Sequence, residues 1–193
     1  MNMIGKAMCQ AISGIGVLTG DTIKVYTSRK TDSHIDIRKE YNIRDDSLTG
    51  VASHQTPVEL IPVESLTDIN GMRFKFDNAR PNWWTDSMTD EAIKQLHSAW
   101  MERFSEDGNI YFCGDLNLLS LTELNVPLTV TGGDLNLSSL TELNVPLTVT
   151  DGYLNLRNLI AIPKDLKVKA KIIYLKNQIL KGGGNAEGFK LND

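Results

Sequence analysis

A repeat of about 19 residues constrains this chain more than anything else in it. The run Gly114-Asp115-Leu116-Asn117-Leu118 returns as Gly133-Asp134-Leu135-Asn136-Leu137. It returns again, degraded, as Gly152-Tyr153-Leu154-Asn155-Leu156. Between the first two copies the segment LTELNVPLTVT is identical. Self-similarity at a short fixed period marks stacked repeats, because one repeat cannot bury its apolar face alone and gains a core only from its neighbours.

Alternate side chains of a strand point to opposite faces. Leu116 with Leu118, Leu135 with Leu137, Leu154 with Leu156, and Ile173 with Leu175 are therefore expected inside. The period adds aliphatic columns at Leu121, Leu140 and Leu159; Leu124, Leu143 and Ile162; Leu128, Leu147 and Leu166; and Val130, Val149 and Val168. The intervening positions form outward columns: Asp115, Asp134, Tyr153 and Ile172, then Asn117, Asn136, Asn155 and Tyr174, then Leu119, Ser138, Arg157 and Lys176. Neighbouring strands lie about 4.8 Å apart. Asp115 beside Asp134 is thus expected to cost energy unless a cation or basic partner neutralises it, and the asparagines could hydrogen-bond along the stack as a ladder. Exposed tyrosine with arginine is typical of binding hot spots. Asp115, Asn117, Asp134, Asn136, Tyr153, Asn155, Arg157, Tyr174 and Lys176 are accordingly the candidate partner-binding face. The pattern is similar to a short leucine-rich repeat, although Leu121 and Leu140 stand where that family carries asparagine. A flatter β-solenoid stays open.

Ahead of the repeats the signals are mixed. Thr22–Thr27 alternates and is β-rich, as are Val58–Ile61 and Met72–Phe76, and Ser33 with Asp36 looks like the start of a short helix. Gly14-x-Gly16 lacks the third glycine of a phosphate-binding loop. His34, His54 and His97 share no ligand spacing, and no nucleophile–base order stands out, so neither a metal site nor a catalytic site is expected. A site in this region would instead gather Asp21, Arg29, His34 and Arg38. From Ser87 or Thr89 to about Phe104 a helix is expected, with Ile93, Leu96, Trp100 and Phe104 on one face. Repeat ends need covering, so this stripe is expected to cap the first repeat. Before it, the adjacent Trp83 and Trp84 follow Pro81 in a turn. One ring is expected to seal the join, and the pair is a second candidate contact.

The segment Phe74-Lys75-Phe76-Asp77, Arg80-Pro81-Asn82-Trp83-Trp84-Thr85-Asp86 and Met88-Thr89-Asp90-Glu91 resembles a stretch of bacteriophage and prophage proteins, where it can precede short leucine-rich or similar repeats. The resemblance implies a phage-encoded accessory protein of the kind that binds and blocks host machinery, defence complexes included.

The sequence therefore predicts an α+β class: a small mixed N-terminal domain (1–86), a linking and capping helix (87–106), a leucine-rich-repeat or β-solenoid stack (107–181) and a flexible tail (182–193). Of its residues 41% are hydrophobic and 23% charged, which suits a folded globular chain. A net charge of −4 disfavours general binding to nucleic acid, although Lys164, Lys167, Lys169 and Lys171 form a basic stretch. Two distant cysteines and the lack of a long apolar run fit a cytoplasmic setting without membrane insertion. The expected function is a non-catalytic module that binds a host protein complex and needs no cofactor. The alternatives are an enzyme or nucleotide-binding protein with its site in the N-terminal domain, or a structural protein that self-associates through its repeat ends.

Overall fold

A computed structural model describes residues 8–9, 12–29, 33–44, 54–102, 108–150, 152–160, 168–176 and 178–181. Expectations placed on Asp45–Gly50, Phe104, Ile162, Lys164, Leu166 and the tail from Gly182 lie outside the described residues, and the side chains of Val168 and Lys169 are likewise not described. Two compact units form. One comprises 11–61 and 73–101; the other comprises 1–10, 62–72 and 102–193.

The first unit is built on one antiparallel sheet of order β3-β2-β4-β5, with β2 Ile12–Thr19, β3 Thr22–Thr27, β4 Gln55–Pro62 and β5 Met72–Phe76. The Gly20-Asp21 turn joins β2 to β3 and pairs Thr19 with Thr22. Helix α1, His34–Glu40, starts at Ser33, whose Oγ accepts the Asp36 N–H at 3.4 Å. Helix α2, Asp86–Met101, starts two to four residues earlier than the sequence indicated. Thr85, not Ser87 or Thr89, caps it, its Oγ1 accepting the Met88 N–H at 3.3 Å.

Met88, Ala92, Leu96 and Trp100 form the buried stripe of α2, and they pack on β2 and β3. Gln95 adds a polar clasp. Its Oε1 accepts the Val25 N–H at 2.8 Å and its Nε2 donates to Ile23 O at 3.1 Å. These are backbone groups of the edge strand β3, so one side chain closes part of an edge that would otherwise offer itself to another chain. Replacing Gln95 with leucine is expected to cost about 1–2 kcal/mol, since both backbone groups lose their partner. Urea denaturation followed by tryptophan fluorescence would measure it.

The glycines of β2 are a packing device, not a phosphate loop. A Cβ on Gly16 would lie 2.9 Å from the Trp84 ring, and one on Gly14 would lie 2.6 Å from Val25 Cγ1. Trp84 sits over this strand between Phe74 and Phe76, with ring centroids 6.2 and 5.0 Å away, and its Nε1 donates to Thr89 Oγ1 at 2.8 Å.

The second unit contains the repeats. Its strands are β1 Met8–Cys9, β6 Ile110–Cys113, β7 Asp115–Asn117, β8 Glu123–Leu124, β9 Leu128–Thr131, β10 Leu135–Asn136, β11 Glu142–Leu143, β12 Leu147–Thr150, β13 Tyr153–Asn155, β14 Val168–Lys169, β15 Ile172–Leu175 and β16 Gln178–Lys181. They fall into three sheets of order β1-β7-β10-β13-β15-β16, β8-β11 and β6-β9-β12-β14, with equivalent residues of successive repeats opposite one another. All pairings here are parallel except β15 with β16.

The expected class, an α+β domain and capping helix leading into a leucine-rich or β-solenoid stack, is not the architecture found. Among the described residues the fold is mixed: two α-helices and many short strands spread over several sheets. The helix expected to cap the repeats packs on β2 and β3 of the antiparallel sheet within its own unit. Each of the first two repeats is interrupted twice. A tight turn follows the first strand, with Leu121 N–H bonded to Leu118 O and Leu140 N–H to Leu137 O, each at 3.0 Å. Then Pro127 or Pro146, which lacks an N–H, stands just ahead of the third strand, β9 or β12. Among the described residues no repeat forms the single strand and helical return of a leucine-rich horseshoe.

The inward columns are buried wherever their side chains are described, among them Leu118, Leu121, Leu137, Leu140, Leu156 and Leu159. At one edge β1 covers β7, and at the other the β15–β16 hairpin turns the chain back. The segment 62–72 also docks here: Thr122 N–H reaches Val63 O at 3.0 Å and Asn125 Nδ2 reaches the buried Ser65 Oγ at 3.0 Å.

Candidate functional site

The outward positions of the first sheet enclose an open groove of about 310 Å³. Its lining includes Asp115, Asn117, Asp134, Asn136, Tyr153, Asn155, Arg157 and Tyr174. Register brings them together: Asn136 lies opposite Asn117 on one side and Asn155 on the other, and Asn155 lies opposite Tyr174. Lys176, exposed just beyond β15, does not line it.

The two aspartates owe their position to the backbone. Asp134 N–H donates to Asp115 Oδ1, and Tyr153 N–H donates to Asp134 Oδ1, each at 2.9 Å. Each carboxylate thus satisfies the amide of the second residue of the next repeat, and a hydrogen bond to a charged acceptor contributes more than a neutral one. That offsets the repulsion expected between stacked aspartates without a cation. The approach depends on the preceding glycines: a Cβ on Gly133 would lie 2.1 Å from Gly114 O, and one on Gly152 would lie 1.8 Å from Gly133 O.

The asparagine column is held by its backbone. Leu118 N–H bonds to Asn136 O, Leu137 N–H to Asn155 O and Leu156 N–H to Tyr174 O, at 2.8–2.9 Å. Asn136 Oδ1 accepts the Ser138 N–H at 3.2 Å. By contrast, Asn117 Oδ1 and Asn155 Oδ1 are buried without a hydrogen-bond partner. At the far end Tyr153 and Tyr174 stand with centroids 6.0 Å apart, and the Arg157 guanidinium lies 5.9 Å from the Tyr174 ring. Tyr153 and Arg157 are exposed. The groove therefore grades from carboxylates and carboxamides to aromatic rings and one cation.

Trp83 and Trp84 belong to the other compact unit. Trp84 is 3% exposed, so its place as a contact residue is corrected: the ring is core. Trp83 is half-buried, its centroid 5.5 Å from that of Trp84 and 6.4 Å from that of His54.

One cluster escaped sequence reading because its members lie on three separate elements. His34 Nδ1 is 2.8 Å from Asp77 Oδ2, and Lys75 Nζ is 2.9 Å from Glu59 Oε2 and 3.8 Å from Asp77 Oδ1. His34, Glu59 and Asp77 lie close enough to share an ion. Lys75 already brings positive charge to both carboxylates, and the hydrogen bond it donates to Glu59 holds its ammonium above the usual lysine range. The arrangement reads as an ion-pair network on α1, β4 and the end of β5. Of the other residues grouped with His34 from sequence, Asp21 lines a separate depression with Ser87 and Glu91.

Among the described residues no helix is long and apolar enough to cross a membrane. Known protein families, characterised proteins and solved structures yield no match to the chain.

Proposed function

We propose that the chain is a non-catalytic protein-binding module whose contact surface is the groove over β7, β10, β13 and β15. The observation that carries this reading is the gathering of Tyr153, Tyr174 and Arg157 beside a row of carboxylates and carboxamides in one open groove. Side chains of this kind dominate binding energy at protein interfaces. The groove is open and crosses four strands, a shape better suited to a partner's surface segment than to enclosing a small substrate. The resemblance of the Arg80–Asp86 segment to phage and prophage proteins supports a host protein complex in a bacterial cytoplasm as the partner, with inhibition as the effect.

The test is capture from bacterial lysate with the tagged chain against Tyr153→Ala/Arg157→Glu. Both side chains are exposed, so this double variant is expected to keep its circular dichroism. A stoichiometric partner should be retained by the parent and fall at least tenfold in the variant. Equal retention by both would discard the groove as the contact surface.

A further inference from the structure

We infer that His34, Glu59 and Asp77 form a binding site for a divalent transition-metal ion of the zinc class. The site is independent of the groove, since all three residues belong to the unit built on the antiparallel sheet. Three elements deliver the donors. His34 opens α1, Glu59 lies on β4, and Asp77 directly follows β5, its N–H held by Pro57 O of β4 at 3.3 Å. The ligand atoms the three residues offer all lie within 4.8 Å of one another. Zinc takes imidazole nitrogen and carboxylate oxygen at about 2.0–2.2 Å, which puts its ligands roughly 3–4 Å apart. A side-chain adjustment of about an ångström therefore closes the set.

The imidazole supplies a second observation. His34 Nε2 faces Val58 O at 3.4 Å, and a carbonyl only accepts, so that nitrogen carries the proton. A backbone carbonyl on the far nitrogen is a usual partner of a metal-binding histidine and aims its ring. In the neutral ring the Nδ1 lone pair then points to Asp77 Oδ2, 2.8 Å away. Two lone pairs at that distance need a proton or a metal ion between them. A proton serves that pair alone, whereas a metal ion also engages Glu59. With the ring neutral, Lys75 offsets one of the two carboxylate charges, from 2.9 Å at Glu59 and 3.8 Å at Asp77, and a divalent ion offsets both. The Lys75 side chain is 47% exposed, so its ammonium can swing into water and yield its place. Imidazole among the ligands selects against magnesium and calcium, which prefer oxygen alone. The bound ion would tie the start of α1 to two strands of the sheet.

The test is isothermal titration calorimetry of the chelator-treated full chain with zinc chloride. One ion per chain is expected to bind, and magnesium chloride is expected to give no saturable heat. His34→Gln and Asp77→Asn should each weaken zinc by about tenfold or more, the effect of removing one member of a metal site. Lys75→Gln should tighten zinc by about threefold or more, because the competing ammonium is gone. A merely structural ion-pair network would give that variant no gain. Circular dichroism checks the fold of each variant, and Lys75→Gln, at an exposed position, decides the matter if His34→Gln does not fold. Zinc held instead by Cys113, His54 or His97 would show as unchanged affinity in His34→Gln. That result, the absence of one-to-one binding, or no tightening in Lys75→Gln would overturn the site.

Discussion

Alanine at Gly152 is expected to disrupt the repeat unit, at a cost of about 3 kcal/mol or more, near the upper end of what overpacking produces. The added methyl would sit 1.8 Å from Gly133 O and 2.6 Å from Gly133 C. Neither atom can withdraw cheaply. Both belong to the connection into β10, whose Asp134 carboxylate holds Tyr153 N–H, while Gly152 O accepts the Lys171 N–H at 3.2 Å. Moving one connection apart from the next would break that amide-to-carboxylate series. Gly132→Ala is the matched comparison. Gly132 has φ of 68° with nothing near its would-be Cβ. Its alanine variant meets only the strain of a left-handed residue, about 1 kcal/mol. Urea titration gives both costs, and hydrogen exchange at the Tyr153 and Lys171 amides locates them. If Gly152→Ala proved as mild as Gly132→Ala, close approach of successive repeats would not be what fixes their spacing.

The repeat unit was legible where composition and period coincide. Leu118, Leu137 and Leu156 recur at a fixed step and are all buried, and the same step places Asn117, Asn136 and Asn155 side by side. What the period could not convey is how the chain turns between strands. The turn after Leu118 and Leu137 and the break ahead of Pro127 and Pro146 divide the first two repeats among three sheets, and a period alone is equally compatible with one long strand and a return. The role of Asp115 and Asp134 was hidden for a related reason. Seen as a column of like charges they look costly, and only the 2.9 Å contact to the next amide shows them as acceptors the backbone needs. The helix was legible as a helix but not in its docking. An apolar stripe states that something is covered, and the partner follows from long-range contacts such as Gln95 with Val25, 70 residues apart. The His34–Asp77 pair was out of reach altogether, since its members share no local pattern.

The second large effect is expected at Trp84. Truncation to alanine should cost about 3–5 kcal/mol, the range for deleting a buried aromatic ring. The ring is almost fully enclosed, lies edge-on to Phe76 and donates to Thr89. Trp84→Phe keeps most of the packing and loses the Nε1 bond, so about 1 kcal/mol is expected. Trp83→Ala, at a half-buried site, should likewise cost about 1 kcal/mol. The informative measurement is a cycle with Gly16. Gly16→Ala alone drives a methyl to 2.9 Å from the Trp84 ring and should be strongly destabilising. Once Trp84 is alanine that obstruction is gone, and Gly16→Ala should become nearly neutral, or mildly favourable because alanine is easier to order in a strand than glycine. The expected coupling is at least about 1 kcal/mol by chemical denaturation, well above the few tenths seen for independent sites. Additive effects would mean that Gly16 is not reserved for this tryptophan. A strong coupling would tie a glycine and a tryptophan 68 positions apart to one packing event, with the Arg80–Asp86 turn as the device that delivers the ring to the sheet.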